Sequence, residues 1–187
     1  MIVKKISLGI RLLFLKLMQR VNYKYFKKHY PYYLQRMGVR FSGDIEKTGF
    51  IATNVKFDSL AYAHLIEVGE NTIISGGVFI LVHDYSIATA IRTVRPVTTG
   101  ALPHFIKGVK IGNNVFIGAR SIILPGTTIG DNTIIGAGSV VKGNIPSGVI
   151  VAGNPARIIK TTEAYARKHL EEMDFCGKLP EIEGAEK

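Results

Sequence analysis

The chain has 187 residues, of which 47% are hydrophobic and 20% charged, and it contains no Trp. These values are typical of one domain with a substantial core, and they exclude a disordered or collagen-like polymer. The net charge is +10, but residues 1–40 carry ten Lys or Arg and no acid, whereas the remaining residues contain 14 cationic and 14 acidic side chains. The excess of positive charge therefore belongs to one N-terminal arm.

This basic arm, residues 1–38, has the spacing of an amphipathic helix between residues 2 and 21. One apolar stripe consists of Val3, Ile6, Ile10, Leu13, Leu17 and Val21, and a second of Leu8, Leu12 and Leu15. Such a helix with surplus apolar surface predicts peripheral contact of residues 1–36 with an anionic membrane. The alternative is a helix that packs on the rest of the protein with its charges in solvent. Nucleic-acid binding is not expected, because no recognised binding motif accompanies the charge.

The strongest signal in the sequence is a branched aliphatic residue at every sixth position, namely Ile111, Ile117, Ile123, Ile129, Ile135 and Val141. Neither a helical period of 3.6 nor a strand period of 2 explains this spacing. It predicts an all-β solenoid of short strands in which three faces close a turn of about 18 residues. The aliphatic side chains then stack as an inner column, and each coil buries its neighbour.

The repeat begins near Val39 and loses its phase between Ile80 and Ile111, where residues 85–104 carry no hexads. We expect this segment, with Arg92, Arg95, Pro96, Thr98, Thr99 and Gly100, to form an excursion loop from the coil. The solenoid domain is predicted at residues 39–160. Thr161 or Thr162 then begins a helix to about Asp174 that caps the stack, and residues 161–187 end in a solvated tail from Lys178.

Four runs of sequence resemble the hexapeptide-repeat acyltransferases: IGNNVFIGA at 111–119, ILPGTTIGDN at 123–132, GAGSVVK at 136–142 and AGNPAR at 152–157. The similarity is to the branch of galactoside, maltose and serine acetyltransferases and polysaccharide O-acetyltransferases, over about residues 60–160. It implies a left-handed parallel β-helix, whereas the period alone leaves the hand open. It also implies a homotrimer with active sites between subunits, and acetyl-CoA as co-substrate.

Acetyl transfer to a hydroxyl needs a base for the hydroxyl proton, and an imidazole is well suited to that role. His83 stands where the coil opens into the excursion loop, and VHDYS at 82–86 resembles the catalytic histidine segment of the family. We predict His83 as the general base. Asp84 is a candidate to orient the imidazole, although adjacent residues on an extended chain point to opposite sides. His104, at the far end of the loop, is either a contact to acceptor or pantetheine or a solvated histidine.

The resemblance also assigns residues to the cofactor. Ala119 falls at the thioester region, Ala137 at the pantetheine, and Lys142, Arg157 and Lys160 at the nucleotide phosphates, where cations have an electrostatic reason to be. Steric constraints at the coil corners would equally explain the two alanines. Relatives commonly have Trp at the position of Phe116.

A metal site is not expected. The candidate ligands His64, His83 and His104 are separated by 19 and 21 positions, so no two of them are close together in sequence. The lone Cys176 excludes a disulfide framework and a cysteine zinc site, which favours the cytosol.

We therefore predict a cytoplasmic O-acetyltransferase, with the inner face of the membrane as the place its arm contacts. It would move acetyl from acetyl-CoA to a sugar hydroxyl of a cell-surface polysaccharide or its precursor. Alternative acceptors are a small molecule (an antibiotic, serine or a free galactoside) or an amino-sugar nitrogen. A non-catalytic scaffold is the alternative of another class, but a scaffold needs neither the AGNPAR run nor the His83 loop.

Overall fold

The computed structural model describes residues 2–95 and 102–172, with residues 2–6 described by their backbone alone. The chain begins with two helices, α1 (Ile2–Val21) and α2 (Tyr23–Met37), which pack against each other. Asn22 separates them and caps α2 by accepting the N–H of Tyr25 at 3.0 Å. Phe26 and Leu34 of α2 are buried in the same hydrophobic cluster as the first strands, so the basic arm is part of the folded core.

The strands lie in three parallel sheets that the chain visits in rotation, and we number these sheets as faces. Face 1 contains β1 (Arg40–Phe41), β3 (Ile66–Val68), β8 (Val109–Ile111), β11 (Thr128–Ile129) and β14 (Asn144–Ile145). Face 2 contains β4 (Ile73–Ile74), β9 (Phe116–Ile117), β12 (Ile134–Ile135), β15 (Val149–Gly153) and the antiparallel β16 (Ala156–Thr161). Face 3 contains β2 (Lys56–Phe57), β5 (Phe79–Ile80), β10 (Ile122–Ile123) and β13 (Val140–Val141).

The hexad period sets the register between coils. Ile111 pairs with Ile129, 18 positions later, and Ile123 pairs with Val141 at the same interval. All six predicted inner aliphatics are at most 2% exposed. Buried hydroxyl side chains line the same column, and Thr127 and Ser139 donate to the carbonyls of Leu124 and Gly136. The corner carbonyls thus give these buried hydroxyls the hydrogen-bond partners that they need.

The chain leaves this coil after face 3 of the second turn. Val68 pairs with Ile111, 43 positions later, so an insertion of 25 residues separates two stacked coils. Within it β6 (His83–Asp84) pairs antiparallel with β7 (Phe105–Ile106). The helix α3 (Ser86–Val94) occupies part of the segment that we expected to be a loop, because its apolar residues follow a helical period and bury Ala88. Pro96, Thr98, Thr99 and Gly100 lie outside the described residues.

The C-terminal helix α4 (Thr162–Glu172) begins where the sequence predicts, and Thr161 caps it by accepting the N–H of Ala164 at 3.1 Å. No residue of α4 is buried. The free edge of β15 is covered instead by β16, whose antiparallel pairing supplies its missing hydrogen bonds. Asp174, Cys176 and the tail from Lys178 lie outside the described residues. Among the described helices, none is long and apolar enough to cross a membrane.

Adjacent residues of β4 allow a matched test of the inner column. Ile74 is fully buried and Ile73 is 40% exposed. We expect Ile74→Ala to lower the free energy of unfolding by about 2–5 kcal/mol, because it leaves a cavity between two coils. Ile73→Ala should cost about 1 kcal/mol or less. Urea denaturation of the two variants checks this, and equal losses would contradict the inward orientation of Ile74.

Candidate active site

His83 lies at the corner where face 3 turns toward face 1. Before it, the N–H of Leu81 donates to the carbonyl of Ile123, and Val82 is fully buried. The side chain of His83 is 29% exposed, so one edge of the ring is accessible while the backbone is held by the stacked coils. This is the position that the sequence predicts for the candidate base.

The carboxylate that contacts His83 belongs to Asp58, directly after β2. Its two oxygens lie 2.7 and 2.8 Å from Nδ1 of His83, and its side chain is 1% exposed. The carboxylate also accepts the N–H groups of Val82 at 2.7 Å and Ser59 at 2.6 Å. Asp58 itself has φ +37, and its N–H donates to the carbonyl of Ile80. The carboxylate beside the imidazole is therefore held in place by hydrogen bonds with the backbone.

This contact decides the protonation pattern of a neutral His83. A carboxylate accepts only, so Nδ1 carries the hydrogen and Nε2 keeps its lone pair. Nε2 is the nitrogen that can take a proton from an approaching hydroxyl. The Asp58–His83 pair thus has the arrangement of a general base with its orienting carboxylate.

Asp84 takes a different position from the one that would orient His83. Its carboxylate accepts the N–H of Ser86 at 2.8 Å, at the start of α3. The hydrogen bonds from Ser86 hold the pKa of Asp84 below its usual range, and the charges of Lys142 and His83 act in the same direction. Adjacent side chains of β6 point apart, which explains why the neighbour in sequence is not the neighbour in space.

Aromatic rings surround the exposed edge of His83. The ring centroids of Tyr62 and Tyr85 each lie 5.4 Å from that of His83, and Tyr85 also stacks on His104 at 4.5 Å. Nδ1 of His104 donates to the carbonyl of Leu102 at 3.0 Å, and its Nε2 is buried without a hydrogen-bond partner within the described residues. The excursion therefore contributes a wall of the site rather than a solvated loop.

The predicted cofactor residues fall on two edges of face 3. Lys142 follows β13, and His83 follows β5, which lies two strands away in the same sheet. Both residues therefore lie at the same edge of face 3. Ala119 and Ala137 are exposed at the opposite corner, where the carbonyl of Ala119 accepts the N–H of Gly138 at 2.8 Å. Arg157 extends that edge on β16, opposite Ala152. One chain alone therefore does not bring His83 together with Ala119.

Lys160 lies farther along β16, with Nζ 5.7 Å above the ring of Tyr165. The backbone of Ala137 packs against Gly118 so closely that a side chain at 118 would collide with it. The corner that contains Ala119 and Ala137 thus exposes small side chains and backbone to solvent, and cationic side chains lie on the strand beside it. In the described part of the chain, no group of His, Cys, Asp and Glu could hold a metal ion.

Comparison with known proteins places this arrangement in a family. Residues 108–143 match the model described as bacterial transferase hexapeptide (six repeats). Protein CapG of Staphylococcus aureus is 41% identical over 168 residues, which cover 89% of this chain and 87% of that protein. The chain belongs to the hexapeptide-repeat acyltransferases.

A solved structure resembles the coil described above over most of its length. The maltose O-acetyltransferase of Clostridium difficile 630 has a TM-score of 0.53 and 27% identity, covering 83% of this chain and 88% of that one. A galactoside acetyltransferase in complex with coenzyme A is 34% identical, with a TM-score of 0.46 over 55% of this chain and 48% of its own.

Asp58 is not among the residues that the sequence predicts for the site. The signal that could have found it is the pairing of Phe57 with Ile80, which places Asp58 next to the residues before His83. That pairing spans 23 residues rather than 18, because the first coil is irregular, so the hexad count does not reveal it.

The tautomer of His83 tests the Asp58 contact directly. We expect ring ¹⁵N shifts of the native protein to show hydrogen on Nδ1, and Asp58→Asn to raise the fraction with hydrogen on Nε2. The reason is that an amide has one acceptor oxygen, for which Val82 and Ser59 already compete. Asp84→Asn is the control and should leave the tautomer unchanged. An identical tautomer in native protein and Asp58→Asn would contradict the assignment.

Proposed function

We propose that the protein is an O-acetyltransferase that moves the acetyl group of acetyl-CoA to a sugar hydroxyl, with His83 as general base. The observation that carries this proposal is the Asp58–His83 pair at the rim of a hexapeptide coil. Family membership supplies the reaction class, and the likeness to a maltose O-acetyltransferase favours a hydroxyl of a sugar as acceptor.

The chemistry follows from the position of Nε2. The imidazole takes the proton of the acceptor hydroxyl while its oxygen attacks the thioester carbonyl carbon. The buried charge of Asp58 stabilises the imidazolium that forms. When the carbon–sulfur bond breaks, the imidazolium returns the proton to the departing thiolate, so His83 ends the cycle neutral. The resemblance assigns the N–H of Ala119 to the thioester region, and a preorganised donor there would stabilise the developing oxyanion.

Acetyl-CoA fits the edge formed by Ala119, Ala137 and Arg157. Small exposed side chains let an extended pantetheine approach the backbone, and Arg157 and Lys160 are exposed cations suited to phosphates. Lys142 is exposed at the His83 corner and would face phosphate there.

The separation of the two edges supports a site shared between copies, and the homotrimer and the left-handed winding are what the resemblance implies. In one chain His83 and Ala119 lie at opposite ends of the face 3 strands. A neighbouring copy that presents its Ala119 edge to His83 would complete the site. The acceptor would then bind among Tyr62, Tyr85 and His104, on the wall made by the excursion.

We further propose that the acceptor belongs to a cell-surface polysaccharide or its precursor, and that the reaction takes place in the cytoplasm, where acetyl-CoA is available. Free sugars and amino sugars are the comparison acceptors. A rate that is highest with an amino-sugar nitrogen would replace the O-acetyltransferase by an N-acetyltransferase with the same base.

The rate of CoA release with a panel of glycans, free sugars and amino sugars tests the catalytic residues. We expect His83→Ala to lower kcat by at least about 10²-fold, and Asp58→Asn by at least about tenfold, because the imidazole loses its orientation and its counter-charge. Asp84→Asn should keep kcat near the native value, since its carboxylate faces Ser86. Thermal unfolding and CoA binding of each variant are the controls. Native rates in His83→Ala would refute the base, and absence of CoA binding by the native protein would favour the scaffold.

The cofactor edge is tested separately by Arg157→Ala. We expect a higher KM for acetyl-CoA with kcat little changed at saturation, because the lost cation contacts phosphate rather than the reacting atoms. Arg167→Ala is the matched control, since Arg167 is an exposed arginine paired with Glu163 on α4. Equal KM values for the two variants would exclude Arg157 from the cofactor site.

A further inference from the structure

Helix α1 has two apolar stripes, of which the fold uses one. Leu8 and Leu15 are 8% and 5% exposed and belong to the core. The outward stripe consists of Ile10, Leu13, Leu17 and Val21, which are between 54% and 73% exposed. At about 100° per residue these four side chains lie opposite Leu8 and Leu15. An apolar stripe from Ile10 to Val21 therefore lies on the face of α1 opposite the core.

Cations border the outward stripe on both sides. The helical angles place Lys16 and Arg20 along one flank and Arg11 along the other, and all three are exposed. No acid occurs before Asp44 in the sequence, so nothing on α1 or α2 neutralises these charges. The helix thus combines an apolar centre with cationic margins.

Two recesses lie beside α1 and α2. Phe14 joins Ile10, Leu13 and Leu17 in a groove of about 900 Å³ that reaches Ala52 at the first coil. On α2, three exposed lysines, Lys24, Lys27 and Lys28, line a second recess of about 280 Å³ together with Ile45 and Glu46. The apolar groove and the lysine-lined recess thus lie on two helices that pack against each other.

We propose that α1 docks on a membrane surface rich in anionic lipid, with the outward stripe among the acyl chains and Arg11, Lys16 and Arg20 at the headgroups. The helix lies in the plane of the interface, since it is not apolar enough to span a bilayer. Cationic side chains beside an apolar stripe match the two components of such a surface, and the contact strengthens with each of them.

A second copy of the chain is the competing occupant, and its charge fits less well. A symmetric contact between two α1 helices would bring Arg11, Lys16 and Arg20 against the same cations of the partner copy. Residues 1–43 offer no acid to offset that repulsion. An anionic lipid surface supplies the missing countercharge. The docking does not depend on the proposed acetyl transfer, but it would hold the site near a membrane.

Sedimentation with vesicles tests the docking. The probes are vesicles of phosphatidylcholine alone and of phosphatidylcholine mixed with phosphatidylglycerol. We expect the full chain to sediment with the mixed vesicles only, and to be released at high salt, because screening weakens the headgroup contact. Leu13→Glu should reduce the bound fraction by about tenfold or more, since it removes an inserted leucine. Leu170→Glu, an equally simple change at an exposed leucine of α4, should bind like the native chain.

A triple variant, Arg11→Gln with Lys16→Gln and Arg20→Gln, tests the charges without changing the apolar stripe and should also lose binding to the mixed vesicles. Circular dichroism verifies that each variant keeps its helices. Negligible binding by the native chain, or equal binding by Leu13→Glu and Leu170→Glu, would overturn the proposal. Sedimentation velocity without lipid adds the remaining outcome: a smaller assembly in Leu13→Glu alone would assign the stripe to contact between copies.

Discussion

Parallel hydrogen bonding between stacked coils is the constraint on which the other features of this protein depend. Each strand is only two or three residues long over most of the coil, and no single turn could bury its aliphatic side chain alone. The pairing of Ile111 with Ile129 and of Ile123 with Val141 places these side chains in one dry column. Because every coil needs its neighbours, the inner side chains stay aligned between coils even where the interval along the chain changes, and the long insertion leaves the coil at a corner.

The site forms where the regular coil is interrupted. A buried carboxylate is costly unless it is fully hydrogen-bonded. The corner after β2 provides two backbone N–H groups for Asp58 and leaves the imidazole of His83 as its further partner. The coil thus holds a charge beneath an exposed ring, and the insertion of 25 residues places Tyr85 and His104 over it. A regular coil of hexads alone would present no such recess.

The two ends of the molecule solve the problem of open strand edges differently. At the C-terminal end, β16 folds back on β15 and completes its hydrogen bonds, so α4 remains outside the core. At the N-terminal end, α1 and α2 pack on the first coil through Leu8, Phe26 and Leu34. A helix pair that needs one apolar face for this purpose gains nothing for its own fold from a second stripe. The outward stripe of α1 is therefore best explained by something outside the folded chain.

The sequence by itself determined the coil, the helix at Ile2–Val21 and the corner occupied by His83, because each depends on a short local period or on residues a few positions apart. It also predicted the break in the repeat, but it left α3 hidden in an apparent loop. Only the tertiary structure decided that Asp58, rather than Asp84, contacts His83. The reason is that the two residues are 25 positions apart across an irregular coil, where register is set by stacking and not by the period. The division of the cofactor residues between two edges was likewise decided by how the faces follow one another in space.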